Sequence, residues 1–206
     1  MKLFLSSQSI SKEQAPYFIE LVGKPASDIH VAIIENAADV EEGPKDWLYR
    51  NREMIGSHGF NVEYVDLTQY AEDTESFQQK LATKDALWFG GGNTYYLRWL
   101  IHDMGIENIL RRFVDEKVYG GGSAGSIVAG PTLKHFETAD DPSKTPEVLL
   151  DGLKFTDKVV LPHMDSEKYA PIMDGISRDL QADGYQTVPL TDTQALVIDS
   201  SEEKIV

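Results

Sequence analysis

Short apolar runs punctuate the chain at Lys2 to Leu5, His30 to Glu35, Asn61 to Asp66, Ala86 to Phe89, Lys117 to Tyr119 and Lys158 to Leu161. Each is of strand length and is bounded by polar or glycine-containing turns. Between them, apolar residues recur at helical spacing over Lys12 to Val22, Lys45 to Ser57, Thr74 to Ala82, Tyr95 to His102, Ile106 to Glu116, Ser126 to Gly130 and Glu167 to Ala182. Strands alternating with helices predict a parallel sheet covered by helices on both faces. Two further strands, Ala195 to Ile198 and Lys204 to Val206, close on each other across Ser200-Ser201-Glu202 and predict a C-terminal hairpin on that sheet. No repeat or linker interrupts the pattern, so residues 1–206 are expected to form one three-layer α/β domain. Thr138 to Pro146 is polar, holds two prolines and reads as an exposed loop.

Two of the strand ends run into glycine. Tyr119-Gly120-Gly121-Gly122-Ser123-Ala124-Gly125-Ser126 places a serine inside G-x-S-x-G, between a strand and the apolar run Ile127-Val128-Ala129. A strand-to-helix turn this tight excludes bulky neighbours and exposes the serine hydroxyl above the sheet, where a nucleophile belongs. Trp88-Phe89-Gly90-Gly91-Gly92-Asn93-Thr94 is the second such loop. Loops that follow parallel strands gather at the carboxyl edge of the sheet. Two bare-backbone loops there can present a nucleophile and N–H donors for an oxyanion. Neither loop ends in Gly-Lys-Ser or Gly-Lys-Thr, and Phe4-Leu5-Ser6-Ser7 after the first strand lacks glycine. These absences disfavour a nucleotide P-loop and a dinucleotide fingerprint.

A serine nucleophile needs a base. Among the five histidines, His30 opens a strand, while His58 and His102 read as surface positions. His163 emerges from the apolar strand ending Leu161-Pro162, on the side where the serine turn belongs; His135, in Lys134-His135-Phe136-Glu137, is its rival.

Taken together, the Gly90 to Thr94 loop, Gly122-Ser123-Ala124-Gly125, Gly130-Pro131-Thr132 and Leu161-Pro162-His163 resemble the peptidase family of dipeptidase E, the aspartyl dipeptidases, with cyanophycinase as a more distant relative. The resemblance implies a fold like the class I glutamine amidotransferase domain. It implies Ser123 as nucleophile, His163 as base and oxyanion donors at Gly91, Gly92 and Ala124. The triad acid is implied in the segment after the nucleophile helix, at Glu137 or at Asp140. The family holds an aspartyl side chain through a downstream arginine, which makes Arg178 the candidate, with Asn93 beside the glycine loop as a second substrate-binding residue. Lys168 and Arg98 are other candidate carboxylate binders. The implied activity is hydrolysis of small peptides, with an α-aspartyl dipeptidase as its sharpest form.

Composition bears on these readings in three ways. There are 34 acidic against 19 basic residues, a net charge of -15, which repels nucleic acid. There is no cysteine, so disulfides and thiolate metal sites are excluded and the nucleophile must be an oxygen. No apolar run is long enough for a signal-peptide core or a membrane span. The expectation is a cytoplasmic enzyme, monomeric or homodimeric, without metal or cofactor, whose partner is a small peptide. A hydrolase of another amide or ester, and a non-catalytic binding domain on the same scaffold, are the competing readings.

Overall fold

The computed structural model describes residues 1–200 and 202–206. Strand β1 (Lys2–Ser6) lies near the middle of a seven-stranded sheet. Its neighbours are β5 (Val118–Gly122), parallel, and β8 (Ala195–Asp199), antiparallel. Beyond β5 lie β4 (Ala86–Phe89), β2 (His30–Ile34) and β3 (Asn61–Tyr64), all parallel; beyond β8 lies β9 (Glu202–Ile205), antiparallel. The C-terminal hairpin is thus present, although Ser201 of its turn lies outside the described residues.

Period-two alternation sorts the strand side chains onto two apolar faces. Phe4, Val31, Ile33 and Trp88 pack on one face with Phe18 and Leu21 of α1 (Ala15–Val22) and Ile55 of α2 (Asp46–Gly56). Leu3, Leu5, Leu87, Phe89 and Tyr119 pack on the other. That face is covered by α3 (Thr74–Ala82), α4 (Thr94–Asp103), α5 (Glu107–Glu116), the single-turn α6 (Ala124–Ile127) and α7 (Ala170–Ala182). Burying the sheet on both faces is what makes β1, β2 and β4 near-continuous apolar runs.

Two features depart from the expected arrangement. Strand β6 (Lys158–Leu161) is not in the main sheet but pairs in parallel with β7 (Gln186–Pro189), a strand the apolar pattern does not reveal. With α7 between them, β6 and β7 form a βαβ unit whose strand ends lie side by side: Leu161 pairs with Pro189, and Leu190 N–H donates to Leu161 O at 2.9 Å. The second departure is at the glycine turn. β5 continues through Gly122 and α6 starts at Ala124, so Ser123 alone makes the corner.

Candidate active site

Ser123 has φ 52° and ψ -112°, a conformation that costs a non-glycine residue about 1–3 kcal/mol and persists only where the surroundings enforce it. Here they do. Ser123 N–H donates to Ser6 O (3.2 Å), and its carbonyl accepts from Ser126 N–H (2.8 Å) and Ile127 N–H (3.0 Å). Ser126 Oγ lies 2.7 Å from Ser6 O and 2.8 Å from Gly121 O, fastening the new helix to β1 and β5. The backbones approach so closely that a Cβ on Gly125 would stand 2.1 Å from Phe89 O, and one on Gly121 2.5 Å from the Gly125 carbonyl. The glycines of the motif are therefore packing requirements of the corner.

The loop after β4 lies against this corner, and a Cβ on Gly91 would sit 3.4 Å from that of Ser123. Gly92 has φ 134° and rests on Ala37, and Asn93 N–H donates to Ala37 O at 2.8 Å. Among the described residues, the N–H groups of Gly91 and Gly92 have no protein acceptor. Ala124, as the first residue of α6, also has no intrahelical acceptor for its N–H. Ala124 adjoins Ser123 in the chain, Gly91 packs against it, and Gly92 lines the same cavity.

His163 leaves the end of β6 with φ 62°. Its Nε2 is 3.0 Å from Ser123 Oγ, and its Nδ1 is 2.6 Å from Asp192 Oδ1. Ser7, buried beyond β1, joins the two: its Oγ accepts from His163 N–H (2.7 Å) and donates to Asp192 Oδ1 (3.0 Å). The Asp192 N–H donates to Asp165 Oδ1 at 2.9 Å. The hydrogen bond from the imidazole, above all, holds the Asp192 carboxyl below the usual carboxylate range, against the opposing effect of burial. Tyr169 packs on the imidazole, ring centroids 5.4 Å apart.

Neither acid expected against the imidazole is there. Asp140 accepts from Thr94 N–H (2.9 Å) at the start of α4, and Glu137 lies 3.5 Å from Tyr95 OH. Both carboxylates meet the amino end of α4, at Thr94 and Tyr95, while Nδ1 of His163 faces Asp192 in the loop after β7. Burial pushes the Asp140 carboxyl above its ordinary value, and the nearby charge of Glu41 adds to this. His135 Nε2 lies 3.2 Å from Asp183 Oδ2, and His135 does not line the cavity that holds Ser123.

The expected substrate contacts are also redistributed. Arg178 is exposed on the outer side of α7, opposite the buried Met173, Ile176 and Leu180; its Nε donates to Asp174 O (3.3 Å) and it does not reach the cavity. Arg98 is buried in a structural role, on Asp151 O and Glu107. Asn93 does line the cavity, but its amide is occupied: Oδ1 caps Tyr96 N–H and Nδ2 donates to Asp141 O. Lys168 lines the cavity, its ammonium 4.5 Å from the centre of the Tyr169 ring.

Ser123, His163, Asp192, Gly91 and Gly92 lie together on a cavity of about 650 Å³. Most of its remaining walls come from residues between Val40 and Asn51, between Ala139 and Lys144 and between Ser166 and Met173, with Gln8, Asn93 and Ile127. Asp192, Ser7, Glu41 and Trp47 are not among the site residues the sequence suggests. Asp192 follows Pro189-Leu190-Thr191, at the end of the strand that neighbours His163's own, a placement that only the strand pairing reveals. Among the described residues no three His, Asp or Glu side chains converge as metal ligands would, and no helix is long and apolar enough to cross a membrane.

The model of peptidase family S51 matches residues 3–206. The uncharacterized peptidase Lmo0363 of Listeria monocytogenes serovar 1/2a is 28% identical over 206 residues, covering 97% of this chain and 95% of the relative. The uncharacterized peptidase PM1590 of Pasteurella multocida is 26% identical over 214 residues, covering 100% and 96%. A Listeria monocytogenes EGD-e protein, described from its crystal structure as a candidate peptidase E, superposes with a TM-score of 0.84 at 25% identity, covering 100% of this chain and 97% of that one. A peptidase from an acI-B1 actinobacterium shares the fold at a TM-score of 0.70 and 18% identity, covering 100% and 86%.

Proposed function

Since the chain belongs to peptidase family S51 and is a serine-type peptidase, we propose that Ser123, His163 and Asp192 carry its chemistry and that its substrates are short peptides. The observation behind this reading is the unbroken chain of contacts from Ser123 Oγ through the imidazole to Asp192, at 3.0 and 2.6 Å. With Nδ1–H donating to Asp192, the tautomer leaves Nε2 free to accept the serine proton. Ser123 Oγ attacks the peptide carbonyl as its proton passes to His163. The oxyanion forms against the amides of Gly91, Gly92 and Ala124. Collapse breaks the C–N bond, and His163 returns the proton to the departing amine. Water, deprotonated by the same imidazole, then hydrolyses the acyl-serine ester.

A cavity of about 650 Å³ suits a substrate of dipeptide or short-peptide size. It does not favour an aspartyl side chain. Arg178 lies outside it, and Glu41, Glu42, Asp140, Asp141 and Asp192 outnumber Lys144 and Lys168 along its walls.

Hydrolysis of a dipeptide panel by wild type and Ser123→Ala tests the reading. The panel should contain aspartyl, glutamyl, basic and apolar members. The variant is expected to lose roughly 10⁶-fold in kcat and to keep its thermal midpoint, because a corner hydroxyl contributes little packing. Turnover retained by Ser123→Ala would end the nucleophile assignment.

A further inference from the structure

Two residues of the candidate active site hold left-handed backbone, Ser123 (φ 52°) and His163 (φ 62°). Non-glycine residues keep such conformations only where the surroundings enforce them. For both, the enforcing partner stands at the end of β1, on adjacent residues. Ser123 N–H donates to Ser6 O at 3.2 Å, and His163 N–H donates to Ser7 Oγ at 2.7 Å. The segment that receives them is itself fastened. Ser6 Oγ donates to Ser9 O at 2.6 Å, Ser7 N–H donates to Gln194 O at 3.1 Å, and a Cβ on Gly122 would stand 2.1 Å from Gln8 O. Nucleophile and base follow strands of different sheets, yet both are referred to this one segment.

The Ser7 hydroxyl has one proton and two lone pairs. A backbone N–H can only donate, so Ser7 Oγ accepts from His163 and its proton is left for Asp192 Oδ1, 3.0 Å away. An ionised carboxylate can only accept, so the hydroxyl is held in one orientation by its two neighbours. Asp192 Oδ1 receives the imidazole Nδ1–H at 2.6 Å as well, and Asp165 Oδ1 receives the Asp192 N–H at 2.9 Å. Among the described residues, Ser7 is the one side chain of a third residue hydrogen-bonded to both His163 and Asp192. It is fully buried and does not line the cavity.

Resting on the reading of Ser123, His163 and Asp192 as the reacting set, we propose that Ser7 is a positioning residue for that set. Its hydroxyl sets the imidazole and the Asp192 carboxylate against each other, and its place beside Ser6 sets both against the Ser123 corner. Ser7 meets no substrate. It acts through His163 and Asp192, by keeping Nε2 within reach of Ser123 Oγ. Alanine at this position leaves a buried N–H without an acceptor and frees the carboxylate to turn; cysteine offers only a weak donor and acceptor.

Diisopropyl fluorophosphate, which phosphorylates an activated serine and expels fluoride, reads the effect without a peptide substrate. The rate constant for labelling is measured in wild type, Ser7→Ala and Ser7→Cys, with Ser123→Ala as the blank. Both Ser7 variants are expected to label roughly 10- to 100-fold more slowly, as for the loss of a hydrogen bond to a charged group. Proton NMR supplies a second reading that a general loss of stability would not move. The low-field resonance of the His163 Nδ1 proton should shift upfield in both variants, or disappear by exchange with water. If Ser7→Ala does not fold, Ser7→Cys, nearer serine in shape, decides by the same two criteria. Labelling at the wild-type rate, or slow labelling with the Nδ1 resonance unmoved, overturns the inference. Failure of the wild type to label, or equal labelling of Ser123→Ala, overturns the nucleophile assignment and the inference with it.

Discussion

Asp192 and Asp140 face the same cavity and are held in opposite senses. The imidazole and Ser7 stabilise the charge on Asp192, whereas burial works against the charge on Asp140. On the proposed mechanism Asp192→Asn keeps the shape but loses the acceptor that fixes the tautomer, so kcat should fall about 10⁴-fold. Glu137→Gln should leave kcat close to wild type. Steady-state kinetics on one dipeptide distinguishes the two. A pH dependence accompanies the change. Because its folded pKa is depressed, Asp192 contributes stability that is present above its unfolded pKa, about 3.9, and is lost as pH falls through the lower folded value. The difference in thermal midpoint between wild type and Asp192→Asn should therefore shrink below that range. Ser123 and His163 were legible because each stands at the end of an apolar run in a recognisable setting. Asp192 was not, since an aspartate in Leu190-Thr191-Asp192-Thr193 looks like any turn residue until the neighbouring strand is known.

At the scale of elements, what hid Asp192 is β7. Its four residues read Gln-Thr-Val-Pro, and none is buried. A strand at the edge of a two-stranded sheet needs no apolar face, so it leaves no period in the sequence. The inner strands of the large sheet, buried on both faces, were legible as apolar runs, and β4 was bounded correctly at Ala86–Phe89, whereas β5 runs three residues beyond its expected end, to Gly122. The corner between β5 and α6 was legible for a different reason. Its glycines are demanded by contact: Gly125 meets Phe89 O, so any side chain must push β4 and α6 apart. Gly125→Ala is expected to destabilise the protein by about 1–3 kcal/mol, the usual cost of overpacking. Urea unfolding at pH 7 measures this, and a midpoint equal to wild type would contradict the packing described.

At the scale of the whole molecule, a net charge of -15 acts on a 206-residue fold. Self-repulsion of this kind weakens the compact state, and salt screens it, the Debye length shrinking from about 30 Å at 0.01 M to about 8 Å at 0.15 M. The thermal midpoint should rise over that range in sodium chloride, by differential scanning fluorimetry. A fall would show that attractive ion pairs, such as Lys80–Glu63 and Lys24–Asp85, outweigh the repulsion. Charge was legible in full from composition, whereas the division of the fold between two sheets was not. That division has a temporal side. The serine belongs to the large sheet, and its base and acid belong to the small βαβ unit that comes later in the chain. A ribosome therefore delivers the nucleophile well before the residues that activate it. On the proposed mechanism, the growing polypeptide carries an inert hydroxyl until β6, α7 and β7 have been made and have docked.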